Sequence, residues 1–181
     1  MIIVIGIVIV IVAGIVGWWF WQRQQVWEKI SADLSIRGDI QILDMSVGNG
    51  KVFINLAKQL TASGEIIGVA ANEKQVQKVQ KLIQDEAVAD RAKVKLTGFT
   101  NLPFVDHRFD YVLIGKLQRV KPAITRGRVL QEAIRVLDFN GTIVITATMM
   151  QRYRQLLEYY RFKDIKVKQI SGQRVMVARR N

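Results

Sequence analysis

Along most of this chain, short apolar runs alternate with stretches in which apolar side chains recur every three or four residues, a pattern that predicts strands and helices in turn. The run Ile40–Asp44 reads as a strand; a small-residue turn with Gly48 and Gly50 follows, and Val52, Ile54, Leu56, Ala57 and Leu60 begin a helix. Gly64–Ala71 reads as a second strand, and Asn72 suits the cap of a helix over Glu73–Asp85 whose face is Val76, Val79, Leu82 and Ile83. Val94–Thr97 is a short third strand and Phe109–Gly115 a fourth. Pro122 suits the first turn of a helix carrying Ile124, Val129, Leu130, Ala133, Ile134 and Leu137. The turn Asp138–Gly141 leads into a fifth strand, Thr142–Thr146, and a helix over Met150–Tyr160 follows. Two last strands, Ile165–Ile170 and Arg174–Ala178, are separated only by Ser171, Gly172 and Gln173. Alternation as far as the fifth strand predicts an α/β domain, with a mostly parallel sheet, helices on both faces and an antiparallel hairpin at one edge.

The first part of the chain breaks this pattern. Ile2–Trp21 has no charged side chain, and its twenty residues, at about 1.5 Å each, make roughly 30 Å of helix, the thickness of a bilayer's hydrocarbon layer. A cleaved signal peptide would place Lys or Arg before the apolar run and small residues at a cleavage site. The run instead ends in Trp18, Trp19, Phe20 and Trp21, rings suited to the membrane interface, so the expectation is a transmembrane helix over 1–22. Arg23, Lys29 and Arg37 follow it, and the positive-inside rule then puts the N-terminus outside and the main domain in the cytoplasm. Val26, Trp27, Ile30 and Leu34 predict a connecting helix within 23–37 that packs on the domain at 38–181.

The formal charge of +12 falls entirely after the apolar run. Such a domain, held next to an anionic leaflet, gains attraction for every Lys or Arg near the surface. The anchor makes the membrane a sufficient partner for that charge; nucleic acid is the other partner that basic charge suggests. The chain has no cysteine, which excludes disulfides and thiolate chemistry, and a single histidine, His107, expected to be exposed in a turn, which argues against zinc. Tyr153, Tyr159 and Tyr160 with Leu156 and Leu157 read as helix packing.

The most chemical stretch is Asp44-Met45-Ser46-Val47-Gly48-Asn49-Gly50-Lys51. Glycines at a strand-to-helix turn let a ligand approach the backbone where the helix offers unpaired N–H groups. A dinucleotide fingerprint fails because Phe53 holds the third glycine position, and a P-loop fails because Val52 stands where Ser or Thr would hold a metal.

The stretch resembles motif I of the class I S-adenosylmethionine (SAM)-dependent methyltransferases, D-x-G-x-G-x-G, with Ser46 in place of the first glycine. Asn101-Leu102-Pro103-Phe104-Val105-Asp106 through Phe109-Asp110 resembles the N-L-P-F-x-D-x-x-F-D segment of the branch that includes the ubiquinone and menaquinone C-methyltransferases. Ala133–Leu137 followed by Asn140-Gly141, and Phe162-Lys163-Asp164-Ile165-Lys166-Val167, resemble two later segments of that branch. The resemblance spans about Asp39 to Arg179 and implies a Rossmann-like class I methyltransferase fold: a mostly parallel seven-stranded sheet with a C-terminal antiparallel hairpin, here preceded by one transmembrane helix.

The same resemblance implies SAM as cofactor, with Asp44 facing its amino group, Gly48 and Gly50 keeping the backbone open, and Ser46 either donating a hydrogen bond or filling space. The acids that hold the sugar and the base are replaced by Ala70 and Gly98, which leaves Asn72 and Glu73 as candidates for the ribose, Phe99 and Leu102 for the adenine, and SAM binding weakened or lost. In the related quinone enzymes the segment after the fourth strand borders the acceptor. Its counterpart here, Gly115–Lys121, is basic and reads as a solvated loop or as a meeting place for an acidic substrate or phospholipid head groups. The expected function is a membrane-anchored methyltransferase acting on a lipid-soluble or membrane-adjacent acceptor. The alternative is a catalytically inactive scaffold that retains the fold, and a nucleic-acid role rests on charge alone.

Overall fold

The structure, a computed structural model, describes residues 29–34, 36–148, 150–170 and 172–180. The expected membrane span at 1–22 lies outside the described residues; among those described, no helix is long and apolar enough to cross a membrane.

Seven strands form one sheet: β1 Gln41–Asp44, β2 Glu65–Ala70, β3 Ala92–Leu96, β4 Phe109–Ile114, β5 Leu137–Thr146, β6 Lys163–Ile170 and β7 Gln173–Arg179. Their order is β3-β2-β1-β4-β5-β7-β6. The first five pair in parallel, and β7 inserts antiparallel between β5 and β6. Helices α1 Lys51–Ala57, α2 Glu73–Asp85, α3 Thr125–Val136 and α4 Met150–Tyr159 supply the crossovers.

Strands covered on both faces need apolar side chains on both, and the runs supply them. Leu43, Ile67, Val112 and Ile143 face α3 and α4, whereas Ile42, Ile66, Leu113 and Val144 face α1, α2 and the helical residues 29–33. Those helical residues bury Ile30 in the second layer, and the remainder of the expected connecting helix, 23–28, lies outside the described residues. Tyr111 donates its hydroxyl to the Leu34 carbonyl, and Lys168 pairs with Asp33 at 2.8 Å, so this segment is tied to the sheet. The edge strand β6 shows Lys163, Lys166 and Lys168 to solvent, which blunts edge-to-edge pairing.

Three expectations are corrected. Asp138–Gly141 is part of β5 rather than a turn before it: a register irregularity opposite Phe109 and Tyr111, with Asn140 at φ 66°, absorbs the turn-like residues within the strand. Pro122 follows a cis peptide bond and precedes α3 by three residues, so it shapes the approach to that helix and not its first turn. His107 is not simply exposed; its ring is half-buried and stacks on Phe139 at 4.1 Å. The tyrosines divide as well, for Tyr153 is buried in the core while Tyr159 is 79% exposed.

Two separated motif segments meet in space. The Arg135 guanidinium donates to the carbonyls of Leu102 and Phe104 and pairs with Asp106 at 2.6 Å and Glu132 at 2.9 Å. Glu132 in turn accepts from the Leu102 N–H. α3 thereby fastens the 102–106 loop on its approach to the start of β4.

Candidate functional site

β2 follows β1 on one side of it and β4 lies on the other, so the chain changes direction across the sheet between β1 and β4. Loops leaving two such strands diverge and open a crevice at their carboxyl ends. Asp44 ends β1 at that crevice and is only 5% exposed. The chain then doubles over Met45, so that the Ser46 N–H donates to Asp44 Oδ1 at 2.8 Å and the Ser46 hydroxyl to the same oxygen at 3.3 Å. Burial pushes the Asp44 carboxyl up from its ordinary 3.8 to about 6, against the pull of both Ser46 hydrogen bonds.

Ser46 also accepts the Gly115 N–H at 2.6 Å and so fastens the end of β4 to the end of β1. A Cβ at position 115 would stand 2.5 Å from Ser46 Oγ, which only glycine avoids. The cleft above these residues encloses about 470 Å³, within the range of small-ligand sites. Val47, Val69 and Leu113 give it apolar walls, Gly48 and Phe99 border it, and Lys116, Arg119, Thr146 and Gln173 line it as well.

Asp44, Ser46, Gly48 and Phe99 are therefore brought together, and Ser46 borders the space without closing it. Gly50, Asn72 and Leu102 are not among the lining residues. Gly50 is the left-handed cap of α1, at φ 86°, and a Cβ there would come within 2.8 Å of Leu82, so its small size serves helix packing. Asn72 is spent as the cap of α2, accepting from the Gln75 N–H at 2.9 Å. Leu102 is 3% exposed and sits in the core beneath the loop that Arg135 holds. Ala70 is fully buried on the α1 and α2 side, while Ala71 reaches the cleft. Gly98 has open space around it.

Sequence reasoning missed Gln75. Its amide donates to the Gly48 carbonyl at 2.8 Å and accepts from the Ala71 N–H at 3.1 Å, spanning the glycine turn and the exit of β2. The signal was present: Asn72 followed three residues later by Gln75 is a capping-box spacing, which predicts a side chain reaching back to a backbone N–H.

A parallel sheet with a buried acid at the end of its first strand, a glycine turn into a helix, and a cleft at the reversal of strand order defines a doubly wound α/β protein of the nucleotide-cofactor-binding class. The model of the family described as "Methyltransferase domain" matches residues 36–176. The demethylmenaquinone methyltransferase of Lactiplantibacillus plantarum is 31% identical over 128 residues, 71% of this chain and 51% of that protein. The enzyme of the same name from Lactobacillus johnsonii is 33% identical over 122 residues, 67% of this chain and 49% of that protein. The chain spans about half the length of these curated relatives. A crystal structure of a SAM-dependent methyltransferase from Aquifex aeolicus superposes with a TM-score of 0.73 at 15% identity, covering 84% of this chain and 88% of that one, a likeness of fold. The protein belongs to the methyltransferase domain family, within the class I SAM-dependent methyltransferases.

S-adenosyl-L-methionine is the cofactor that membership implies. The residues present fit it at one end especially. Asp44 is a buried carboxylate whose hydrogen bonds both come from Ser46, with no cationic partner among the described residues, and an ammonium group supplies that partner. The Phe99 ring offers an apolar surface to a base. At the sugar end, no carboxylate of the described residues borders the cleft apart from Asp44, and the Gln75 amide, bonded to the Ala71 N–H, is a polar side chain that lines the cleft at the β2 exit.

Proposed function

We propose that this protein is a membrane-anchored SAM-dependent methyltransferase that acts on a lipid-soluble or membrane-adjacent acceptor. The single observation that carries the methyltransferase reading is Asp44, a desolvated carboxylate held in one orientation by Ser46 at the edge of an open 470 Å³ cleft. A carboxyl group buried without a counter-charge is costly to the fold, and a cationic ligand group offsets that cost. The acceptor class is supported by the demethylmenaquinone methyltransferases among the relatives and by the apolar run at 1–22, read as a span with the N-terminus outside and the domain in the cytoplasm.

When bound, SAM supplies an electrophilic methyl group on a sulfonium centre. The protein's own task is alignment, which alone lowers a barrier by several kcal/mol when reacting groups are held in line. Asp44 fixes one end of the cofactor by charge, the Gly48 backbone allows close approach, and Val47, Val69 and Leu113 keep water from the cleft wall. Ser46 acts through others: it orients Asp44 and pins Gly115 at the exit of β4, where the basic loop that also lines the cleft begins.

A second reading, a catalytically inactive binding or scaffold protein at the membrane, is favoured by the sugar end, where Ala71 and Gln75 stand in place of an acid. Isothermal titration of the full-length chain in non-ionic detergent with S-adenosylhomocysteine and SAM decides between them. Binding in the micromolar range, followed by methyl transfer to a lipid-soluble acceptor, supports the enzyme; no heat at millimolar ligand removes it.

A further inference from the structure

Beyond the strand ends of β4, β5 and β7 lies a second chamber of about 460 Å³. It shares Lys116, Arg119, Thr146 and Gln173 with the Asp44 cleft and adds Arg174 and Gln118 of its own, so the two spaces are adjoining parts of one depression. Cations enter it from two separate elements: Lys116 and Arg119 from the loop after β4, and Arg174 from the β6–β7 hairpin. Among the described residues, no acidic side chain lines it.

The geometry points to an anion subsite: the chamber holds a phosphate or carboxylate group of the methyl acceptor, which is therefore an anionic molecule. Among the described residues Arg119 makes no ion pair, and Arg174 has only a long 3.5 Å hydrogen bond to the Thr148 carbonyl. Guanidinium groups left in this state beside a cavity are matched by planar or tetrahedral oxyanions, which accept paired N–H bonds. The loop that carries Arg119 is braced from behind, since the Arg126 guanidinium donates to the carbonyls of Gln118 and Val120 at 2.7 and 3.0 Å. Asp44 and the cations thus divide the depression by sign, an acid for the cationic donor and arginines for an acceptor of opposite charge.

This inference rests on the methyltransferase reading for its word "acceptor", but the subsite itself is tested separately. Full-length protein in non-ionic detergent is titrated with octyl phosphate, with octanol and with inorganic phosphate, and in parallel with S-adenosylhomocysteine. Octyl phosphate binds and octanol does not; Arg174→Gln weakens octyl phosphate at least tenfold, Arg174→Lys recovers part of the loss, and S-adenosylhomocysteine affinity stays within twofold. Arg174 is exposed at a hairpin end, so neither variant threatens the fold. Lys58→Gln, which removes a remote charge, leaves all affinities unchanged. Inorganic phosphate binding as tightly as octyl phosphate identifies a soluble anion, and octyl phosphate binding alone identifies an amphiphile; both support the subsite. Equal binding of octanol and octyl phosphate, or indifference to Arg174→Gln, overturns it. Loss of S-adenosylhomocysteine binding alone, with the anion results as stated, removes the methyltransferase reading and leaves the subsite standing.

Discussion

Replacing Asp44 with asparagine separates what this residue does for the fold from what it does for a ligand. The carboxyl is raised from 3.8 to about 6, chiefly by desolvation, which at about 1.4 kcal/mol per pH unit corresponds to about 3 kcal/mol. Below pH 3.8 the group is protonated in folded and unfolded chains alike, and no penalty exists. As pH rises from about 4 to 6 the unfolded chain ionises first, so stability falls, and above about 6 the full cost is in place. The asparagine amide is neutral throughout and keeps an oxygen for the Ser46 N–H. The Asp44→Asn variant is therefore more stable than the parent by up to about 3 kcal/mol at about pH 7.5, roughly 6–12 °C in melting temperature for a domain of this size, and equal to it near pH 4. Urea titrations followed by far-ultraviolet circular dichroism at about pH 4, 5, 6 and 7.5 read this difference. In the variant the affinity for S-adenosylhomocysteine falls at least tenfold, because the ammonium loses its charged partner. The parent's affinity also declines as pH drops below about 6. A stability difference that is absent at neutral pH, or the same in acid as at neutral pH, refutes the reasoning, since an exposed or counter-ion-paired carboxylate would behave that way.

Three further substitutions probe the frame. Ser46→Ala removes the 2.6 Å bond to the Gly115 N–H and one of two donors to Asp44, and it should cost about 1 kcal/mol of stability in denaturant melts while moving the pH midpoint of S-adenosylhomocysteine binding upward. An unchanged midpoint would show that the hydroxyl does not act on Asp44. Gly50→Ala forces a side chain onto Leu82 at a backbone φ of 86° and should lose about 1–3 kcal/mol, read as a lowered melting temperature. Arg135→Ala strands Glu132, whose carboxyl is held below its usual range by that guanidinium, and frees the Leu102 and Phe104 carbonyls. It should cost about 2–4 kcal/mol and raise hydrogen exchange in the 102–106 loop; protection unchanged there would mean that the network does not hold it.

Much of this architecture follows from local sequence. Continuous apolar runs of five or six residues separated by amphipathic helices admit few topologies besides a covered parallel sheet, and the short Ser171–Gln173 link admits only a hairpin. Asn72 and the turn after Asp44 announce themselves because capping and tight turns are decided within four residues of chain. The meeting of Asp44, Gly48 and Phe99 at one cleft was legible through the motif resemblance, which carries three-dimensional information in linear order.

What the chain in isolation left open concerns which way a side chain faces once strands and loops are packed. Gly50 and Leu102 lie in motif segments, yet one packs against Leu82 and the other fills the core, because burial is set by neighbours tens of residues away. Gln75 became part of the cleft wall only when β2 brought Ala71 beside the glycine turn. The meeting of Arg119 with Arg174, 55 positions apart, depends on β7 inserting beside β5, a pairing no local pattern specifies. Apolar periodicity encodes the elements because it acts over a few residues at a time, whereas the site depends on long-range strand order, and that is chosen only when the whole core closes.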